Sequence, residues 1–183
     1  MIDKLNSHFN KKLEKLIFNY EQNLSSKLNT KINLKVYDKI QEDVIEKIVR
    51  IQNFNLKNDF RMDFKSYYLN FFTNDPNLSI ILVENKKPLG FIINSSQRLK
   101  DDYYTERIEL LENYQKKAIG PKLLNISSAI AKGLKYKYHG LICSDYYKKM
   151  NLASFYQKNG FLNIDNKKLS NYMRRKVNKY SPI

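Results

Sequence analysis

Apolar residues recur at every third or fourth position through the first thirty residues of the chain, a spacing typical of one amphipathic helix. The residues of this stripe are Leu5, Phe9, Leu13, Leu16, Ile17, Tyr20, Leu24 and Leu28. Such a helix either packs on the protein core or joins two copies of the chain as a homodimer element. We expect residues 1–30 to form an N-terminal helical extension of the domain that follows.

From residue 31 the chain alternates between the two-residue period of strands and the 3.6-residue period of helices. This pattern predicts strands over 32–37, 78–84, 88–94, 103–111, 138–143, 161–164 and 169–177. It predicts helices over 39–54, from 64 to the Asn74-Asp75-Pro76 stop, and after residues 120 and 150. The stretch 85–87 is expected to be a hairpin turn, and the polar stretch 95–102 a loop. Without a repeat or a linker, residues 31–183 are predicted to form one mixed α/β domain.

The stretch 115–120 lies between a predicted strand and a predicted helix, and it has small residues at two alternate positions, Ala118 and Gly120. Pro121, near the helix start, is a favoured first-turn residue. A turn of this shape points several backbone N–H groups at one place, with the positive end of the helix behind them. The stretch therefore predicts an anion site, with phosphate as the expected guest, although a turn without a ligand is the other interpretation.

Two motifs resemble a known family. Gln115-x-x-Ala118-x-Gly120 resembles the Arg/Gln-x-x-Gly-x-Gly/Ala pyrophosphate loop of the GCN5-related N-acetyltransferase (GNAT) family, which binds acetyl-CoA. Some thirty residues later, the stretch from Asn151 to Phe161 is similar to the family's Asn-x-x-Ala-x-x-x-Tyr-x-x-x-Gly-Phe helix and turn. The order and separation of the two motifs fit the family over roughly residues 32–177.

The resemblance implies an acyl-CoA N-acyltransferase-like fold over 31–183, with a central, mostly antiparallel twisted sheet flanked by helices. It also implies acetyl-CoA as cosubstrate and direct acetyl transfer to an amine, without a covalent enzyme intermediate. The residues that would hold the cosubstrate are Leu110, Leu111, Gln115, Lys116, Lys117, Ala118, Ile119, Gly120, Asn151 and Tyr156. Ala118 departs from the family's glycine, and its methyl group disfavours a positive φ.

Tyr156 is the expected general acid, because a phenol keeps its proton at neutral pH and can give it to a leaving thiolate. The same tyrosine could instead be a structural aromatic. The base is less determined: Glu106, Glu109 and Glu112 lie on or beside the central strand, and Glu106 is the first choice. A strict period of two places Glu106 and Glu109 on opposite faces. Cys143 is expected to be a structural thiol, and no metal site is predicted.

Composition and charge limit the kinds of partner and location that we expect for the chain. A chain of 183 residues with one cysteine, a polar start and no apolar run near ~20 residues is expected to be a cytoplasmic, non-membrane protein. After residue 114 lie 15 of the 33 basic residues but only 2 of the 18 acidic ones. This surplus suits an anionic cosubstrate. It also favours an anionic or nucleic-acid-linked acceptor amine, which the run Arg174-Arg175-Lys176 would attract, unless the charges are merely solvated.

Two functions from different classes fit these observations. The first is an acetyl-CoA-dependent N-acetyltransferase acting on an unknown amine. The alternative is a non-catalytic module on the same fold that senses acyl-CoA or binds nucleic acid through its basic half and tyrosines. The aromatic residues of the second predicted helix, such as Tyr67 and Tyr68, belong either to the core or to the wall of an acceptor pocket.

Overall fold

The computed structural model describes residues 7–37, 41–56, 64–74, 79–143, 152–165 and 171–177. These contain five α-helices: α1 (Ser7–Leu28), α2 (Glu42–Leu56), α3 (Phe64–Asn74), α4 (Ile119–Gly133) and α5 (Leu152–Lys158). They also contain seven strands: β1 (Asn33–Tyr37), β2 (Ser79–Asn85), β3 (Lys87–Leu99), β4 (Asp102–Leu110), β5 (Tyr138–Ile142), β6 (Leu162–Asn163) and β7 (Tyr172–Lys176). A short 3-10 helix, Glu112–Tyr114, lies between β4 and α4.

The strands of the described residues form one sheet in the order β1-β2-β3-β4-β5-β7-β6. Each neighbouring pair is antiparallel except β4 and β5, which are parallel. The exception follows from the connection, because a strand reached through a crossover helix such as α4 runs parallel to the strand before it. The predicted α/β class with a mostly antiparallel sheet and an additional N-terminal helix is confirmed.

Alternation along the central strands divides the core into two layers, one on each face of the sheet. Ile92 points toward α1 and α4, where it joins a cluster that includes Leu123 of α4. Its neighbours Phe91 and Ile93 point the other way and pack with Ile48 of α2. Each face of β3 therefore meets a different set of helices, and the same division applies to β4 beside it.

The helix α1 covers one edge of the sheet as well as part of its core face. Three leucines of its apolar stripe are buried in the cluster shared with α4: Leu13, Leu16 and Leu24. Glu21 Oε1 accepts a hydrogen bond from the N–H of Leu34 at 2.7 Å, and Ser25 Oγ accepts from that of Ile32 at 2.9 Å. These bonds occupy one N–H group of the edge strand β1 and one just before it, which would otherwise be open to pairing. Packing on the core therefore explains most of the stripe.

The stretch 95–102, expected to be a loop, is mostly strand, so that expectation is wrong. β3 continues to Leu99, and a turn at Lys100 and Asp101 leads into β4. The pairing of Ser95 with Tyr104 holds this part of the strand in place. The polar residues of this segment concealed the strand, because an alternating apolar pattern indicates a strand with one buried face. This segment is held instead by pairing with its partner strand.

No helix among the described residues is long and apolar enough to cross a membrane.

Candidate functional site

β4 and β5 run side by side for four residue pairs and then separate, the last pair being Thr105 with Leu141. Among the described residues, β4 continues beside β3 alone as far as Leu110, whereas β5 continues beside β7. The separation leaves a gap between β4 and β5. The N–H of Leu111 donates to the Leu89 carbonyl of β3 at 2.8 Å. Because successive residues of an antiparallel strand point their N–H groups to opposite sides, the N–H of Leu110 points away from β3 and into the gap. The gap therefore exposes a strand edge on which an extended molecule with amide groups can pair.

A β-bulge in β4 lies where the two strands begin to separate. The register against β3 shifts between Thr105 and Arg107, so that Glu106 is the extra residue. The bulge lies before Leu110 and Leu111, the residues of β4 that the resemblance assigns to the cosubstrate. A bulge increases local twist and re-aims side chains, and here it does so beside the gap.

The bulge overturns the expectation that Glu106 and Glu109 lie on opposite faces, because both face α2. Glu109 accepts a hydrogen bond from Asn55 of α2 at 3.3 Å. Glu106 accepts from the hydroxyl of Ser95 at 2.6 Å. Ser95 also faces α2, since Asn94 next to it is bonded to groups on the α4 face. The extra residue at the bulge thus brings the two carboxylates to one side of the sheet.

The loop before α4 has the backbone shape of an anion site. Gln115 Nε2 donates to the Leu110 carbonyl at 3.1 Å, which ties the loop to the end of β4. Lys116 and Ala118 have φ angles of 59° and 64°. Left-handed residues in such a turn direct successive N–H groups into one concave nest. Ala118 therefore adopts the conformation that its methyl group disfavours, at a cost on the order of 1 kcal/mol.

The start of α4 leaves backbone donors facing the same place. Ala118, at the cap position, offers no side-chain hydrogen bond to the helix. The N–H groups of Ile119 and Gly120 belong to the first turn, where no preceding helical carbonyl can accept from them. A Cβ at Gly120 would lie 3.1 Å from the ring of Phe155, so α5 packs directly against the loop. A methyl group at this position would require the Phe155 ring to shift by a few tenths of an ångström, and a larger side chain would require more.

Lysine side chains surround the loop in two different ways. Lys116 and Lys117 are exposed. Lys122 is half-buried, and its Nζ lies 4.8 Å from the ring centroid of Tyr20, a residue of α1. Burial, and then the nearby charge of Lys27, lowers the pKa of Lys122. The N-terminal helix therefore holds one cation in place beside the loop, while two others remain open to solvent.

Tyr156 is buried on the inner side of α5. The ring of Phe155 lies 5.2 Å from the Tyr156 ring, and that of Phe161 lies 6.0 Å from it, between centroids. Burial, followed by Cys143 and Tyr104, raises the pKa of Tyr156 far above that of a free phenol. Cys143 follows β5 directly and Tyr104 precedes the separation of β4, so these neighbours put Tyr156 beside the gap. Its hydroxyl keeps its proton at neutral pH.

Polar residues of α2 complete the face that carries the two carboxylates. Arg107 Nη2 lies 2.5 Å from Glu109 Oε1. The amide of Gln52 bonds the Tyr68 hydroxyl at 2.7 Å and, with its oxygen turned toward Arg107, accepts from Nη2 at 2.9 Å. The motifs of the sequence do not point to Gln52 and Asn55. The available signal was a polar residue, Gln52, within the buried stripe of an amphipathic helix.

The basic run on β7 is not the open surface that sequence analysis expected. Arg175 is buried, and its guanidinium lies 4.7 Å from the ring centroid of Phe161. Arg174 lies 3.9 Å from the ring centroid of Tyr138. Lys176 is the exposed member of the run. The predicted contact of Asn151 with the cosubstrate falls outside the described residues, as do five further basic residues of the second half: Lys148, Lys149, Lys167, Lys168 and Lys179.

The resemblance stated from the two motifs is confirmed by comparison with known proteins. The model of the acetyltransferase (GNAT) family matches residues 45–161. No curated protein sequence is significantly similar to the chain.

Solved structures share the fold. An acetyltransferase of the GNAT family from Staphylococcus aureus Mu50 is 22% identical, with a TM-score of 0.62 over 80% of this chain and 99% of that one. PaiA N-acetyltransferase from Thermoplasma acidophilum, solved with coenzyme A, is 16% identical, with a TM-score of 0.56 over 79% and 99% of the two chains. An aminoglycoside 6'-N-acetyltransferase complexed with coenzyme A is 13% identical, with a TM-score of 0.60 over 79% and 96%.

Proposed function

This chain belongs to the acetyltransferase (GNAT) family, and we propose that it transfers the acetyl group of acetyl-CoA directly to a primary amine. The observation that carries the proposal is the gap between β4 and β5, which opens beside the uncapped start of α4. At this place a strand edge can pair with an extended arm that has amide groups. The free N–H groups beside it can bind phosphates. Acetyl-CoA has both features in one molecule.

The residues at this place fit the cosubstrate in charge and in hydrogen-bonding capacity. The backbone from Gln115 to Gly120 is proposed to hold the pyrophosphate, with the exposed Lys116 and Lys117 adding positive charge. β4 at Leu110 and Leu111 is proposed to pair with the pantetheine arm; the N–H of Leu110 is the one directed into the gap. Asn151 is assigned to the same site from its motif alone.

Acetyl-CoA supplies an activated thioester, so the chain has to orient the amine and move two protons. We assign removal of the amine proton to Glu106, which stands at the bulge and is oriented by Ser95. Glu109 is less suited, since Arg107 binds its carboxylate. We assign protonation of the leaving group to Tyr156, because a phenol is protonated at neutral pH and its neighbours Cys143 and Tyr104 place it beside the gap.

The acceptor is proposed to be a primary amine that enters from the α2 face, where Glu106 and Glu109 lie. The Glu106 carboxylate on that face favours a cationic amine, whereas the charge of Glu109 is paired with Arg107. The expectation of an anionic or nucleic-acid-linked acceptor loses part of its support, because Arg175 is buried within the fold rather than facing a ligand.

The cosubstrate is tested by thermal unfolding with and without acetyl-CoA. A ligand that binds the native state alone raises the melting temperature by mass action. Gly120→Asp should abolish this rise by placing a carboxylate among the phosphates, whereas Gly120→Ala, which adds a methyl group without charge, should retain it. If saturating acetyl-CoA does not change the melting temperature of the folded wild-type protein, the proposal fails.

Turnover tests the assignment of the acid. Acetyl-CoA would be offered with a panel of amines that includes an aminoglycoside, a polyamine and a peptide. Tyr156→Phe should lower kcat ~10²-fold, as loss of a general acid does, with the affinity for acetyl-CoA unchanged. A wild-type rate in Tyr156→Phe would make Tyr156 a structural aromatic.

A further inference from the structure

Five buried polar side chains connect the closed end of the gap to α4 and β7: Asn94, Thr105, Ser128, His139 and Arg175. Thr105 Oγ1 lies 2.8 Å from Asn94 Oδ1 and 2.6 Å from His139 Nε2. Ser128 Oγ lies 2.7 Å from His139 Nδ1 and 3.0 Å from Arg175 Nε. We call these five residues the vertex network, because Thr105 is the last residue of β4 that pairs with β5.

The hydrogens of the vertex network can be placed consistently around a neutral imidazole. Arg175 Nε only donates, so Ser128 Oγ accepts from it and can give its own hydrogen to His139 Nδ1. Asn94 Oδ1 only accepts, so Thr105 donates to it and can accept from Nε2–H of His139. In this arrangement both nitrogens of the neutral imidazole are bonded. Burial, and then the charge of Arg175, lowers the pKa of His139 well below its ordinary value, in agreement with this arrangement.

Arg175 extends the vertex network to the helices that carry the proposed site. Its Nη2 donates to the Leu124 carbonyl of α4 at 2.7 Å. Its Nη1 donates to the carbonyl of Asn159, just after α5, at 2.8 Å. One continuous set of hydrogen bonds thus joins β3, β4, β5, β7, α4 and the end of α5. These include the strand with the open edge, the helix behind the phosphate loop and the helix with Tyr156.

We propose that the vertex network positions the cofactor cleft, by setting where β4 leaves β5 and how α4 stands against that point. This inference rests on the proposed function. Apolar contacts tolerate small shifts, whereas hydrogen bonds weaken steeply with distance and angle, so a satisfied buried network selects one arrangement. A shift of the vertex network changes the distance between the open edge of β4 and the loop 115–120. One cosubstrate molecule has to reach both, so such a shift weakens its binding.

The matched pair Ser128→Ala and Ser127→Ala tests this role. Both serines are buried in adjacent positions of α4. The Ser128 hydroxyl is in the vertex network, whereas the Ser127 hydroxyl has no partner among the described residues. Thr105→Val is a second interruption, at the β4 end, with nearly unchanged volume. The dissociation constant for coenzyme A would be measured by calorimetry well below the melting temperature of each variant.

We expect Ser128→Ala and Thr105→Val each to weaken coenzyme A binding by about tenfold, as loss of outer hydrogen-bond partners does at metal sites. Ser127→Ala should bind like the wild type. Equal affinity in Ser128→Ala and Ser127→Ala would overturn the proposal, even where Ser128→Ala melts at a lower temperature, because the network would then support stability alone.

Amide hydrogen exchange separates this inference from the proposed function. If the wild-type protein does not bind coenzyme A, the proposed function fails and exchange decides the positioning role by itself. Ser128→Ala should then speed exchange of the amides in 106–111 and 115–120 at least several-fold relative to Ser127→Ala, since local opening becomes easier. Equal exchange rates in these two segments would overturn the inference.

Discussion

Two basic stretches in the second half of the chain, 116–122 and 174–176, place their charges in different surroundings. In the first, Lys116 and Lys117 are exposed around the uncapped start of α4. In the second, Arg175 is buried and donates to a serine hydroxyl and two backbone carbonyls. The charge of the first stretch is available to an incoming anion, whereas that of Arg175 is used within the fold. A count of charges therefore does not identify a binding surface.

The residue types match this difference. The planar guanidinium of arginine has five donors in a fixed arrangement, so Arg175 can bond three acceptors at once and still stack on Phe161. A lysine carries its charge on a flexible, strongly hydrated stem, which suits a solvent-facing position. An arginine inside a strand pattern therefore calls for a structural interpretation before an electrostatic one.

The largest expected effect is that of Arg175→Met, which tests the structural role of the buried arginine. Lys176→Met is the matched control on the same strand. Arg175→Met removes two buried hydrogen bonds and a part-buried one to the Asn159 carbonyl. Hydrogen bonds to charged groups contribute about 1.5–3 kcal/mol each. We expect a loss of at least about 3 kcal/mol in the free energy of unfolding, measured in urea. Lys176→Met should change it by less than about 0.5 kcal/mol. Similar values for both variants would show that Arg175 has no such structural role.

The pH dependence of stability tests the imidazole beside Arg175. The pKa of His139 is lower in the folded than in the unfolded state, so below about 6.5 the unfolded chain binds more protons. Stability is therefore complete above that pH and is lost as the pH falls below it, with a slope of up to about 1.4 kcal/mol per pH unit.

The control for the pH profile is His139→Gln, which can donate and accept but cannot be protonated. It should flatten the profile of urea unfolding. Asp102, whose pKa is raised by burial, contributes a change of opposite sign in both proteins, so the difference between them isolates the imidazole. An unchanged slope in His139→Gln would contradict the assignment.

Charge reversal tests whether the exposed lysines before α4 attract the cosubstrate. Lys116→Glu combined with Lys117→Glu should leave the free energy of unfolding within about 0.5 kcal/mol of the wild type, because both side chains are exposed. The dissociation constant for acetyl-CoA should rise about tenfold, and the effect should shrink as added salt screens the charges. Lys100→Glu combined with Lys135→Glu makes the same charge change at the far end of β4 and should bind normally. Equal weakening by both pairs would indicate an effect of net charge.

The smallest expected effect concerns the loop backbone. Ala118→Gly should raise the free energy of unfolding by about 0.5–1 kcal/mol, because glycine adopts the positive φ at this position without the steric cost of a methyl group. Ala129→Gly, in the middle of α4, should instead lower it by about 1 kcal/mol or more. Urea unfolding of both variants compares the two positions. A loss of stability in Ala118→Gly would mean that this alanine is not strained.

Local patterns in the sequence determined the order of the elements, the α/β class and the phosphate-loop motif. These depend on residues within one turn or one strand of each other, as with the small residues Ala118 and Gly120 before α4. The packing of α1 was also open to prediction, since its apolar stripe required a partner. The roles of Tyr156 and Glu106 remain predictions that the proposed experiments test.

Tertiary structure alone decided the features that depend on partners distant in sequence. The bulge at Glu106 exists only in the register of β4 against β3, and it moved one carboxylate to the other face. The strand 95–99 is held by pairing with β4, so its own polarity did not reveal it. Arg175 and His139 look like a surface cation and an isolated histidine until Ser128 and Thr105 are brought to them. Hydrogen-bond partners that lie tens of residues apart leave no periodic signal in the chain, because only the fold sets their distance.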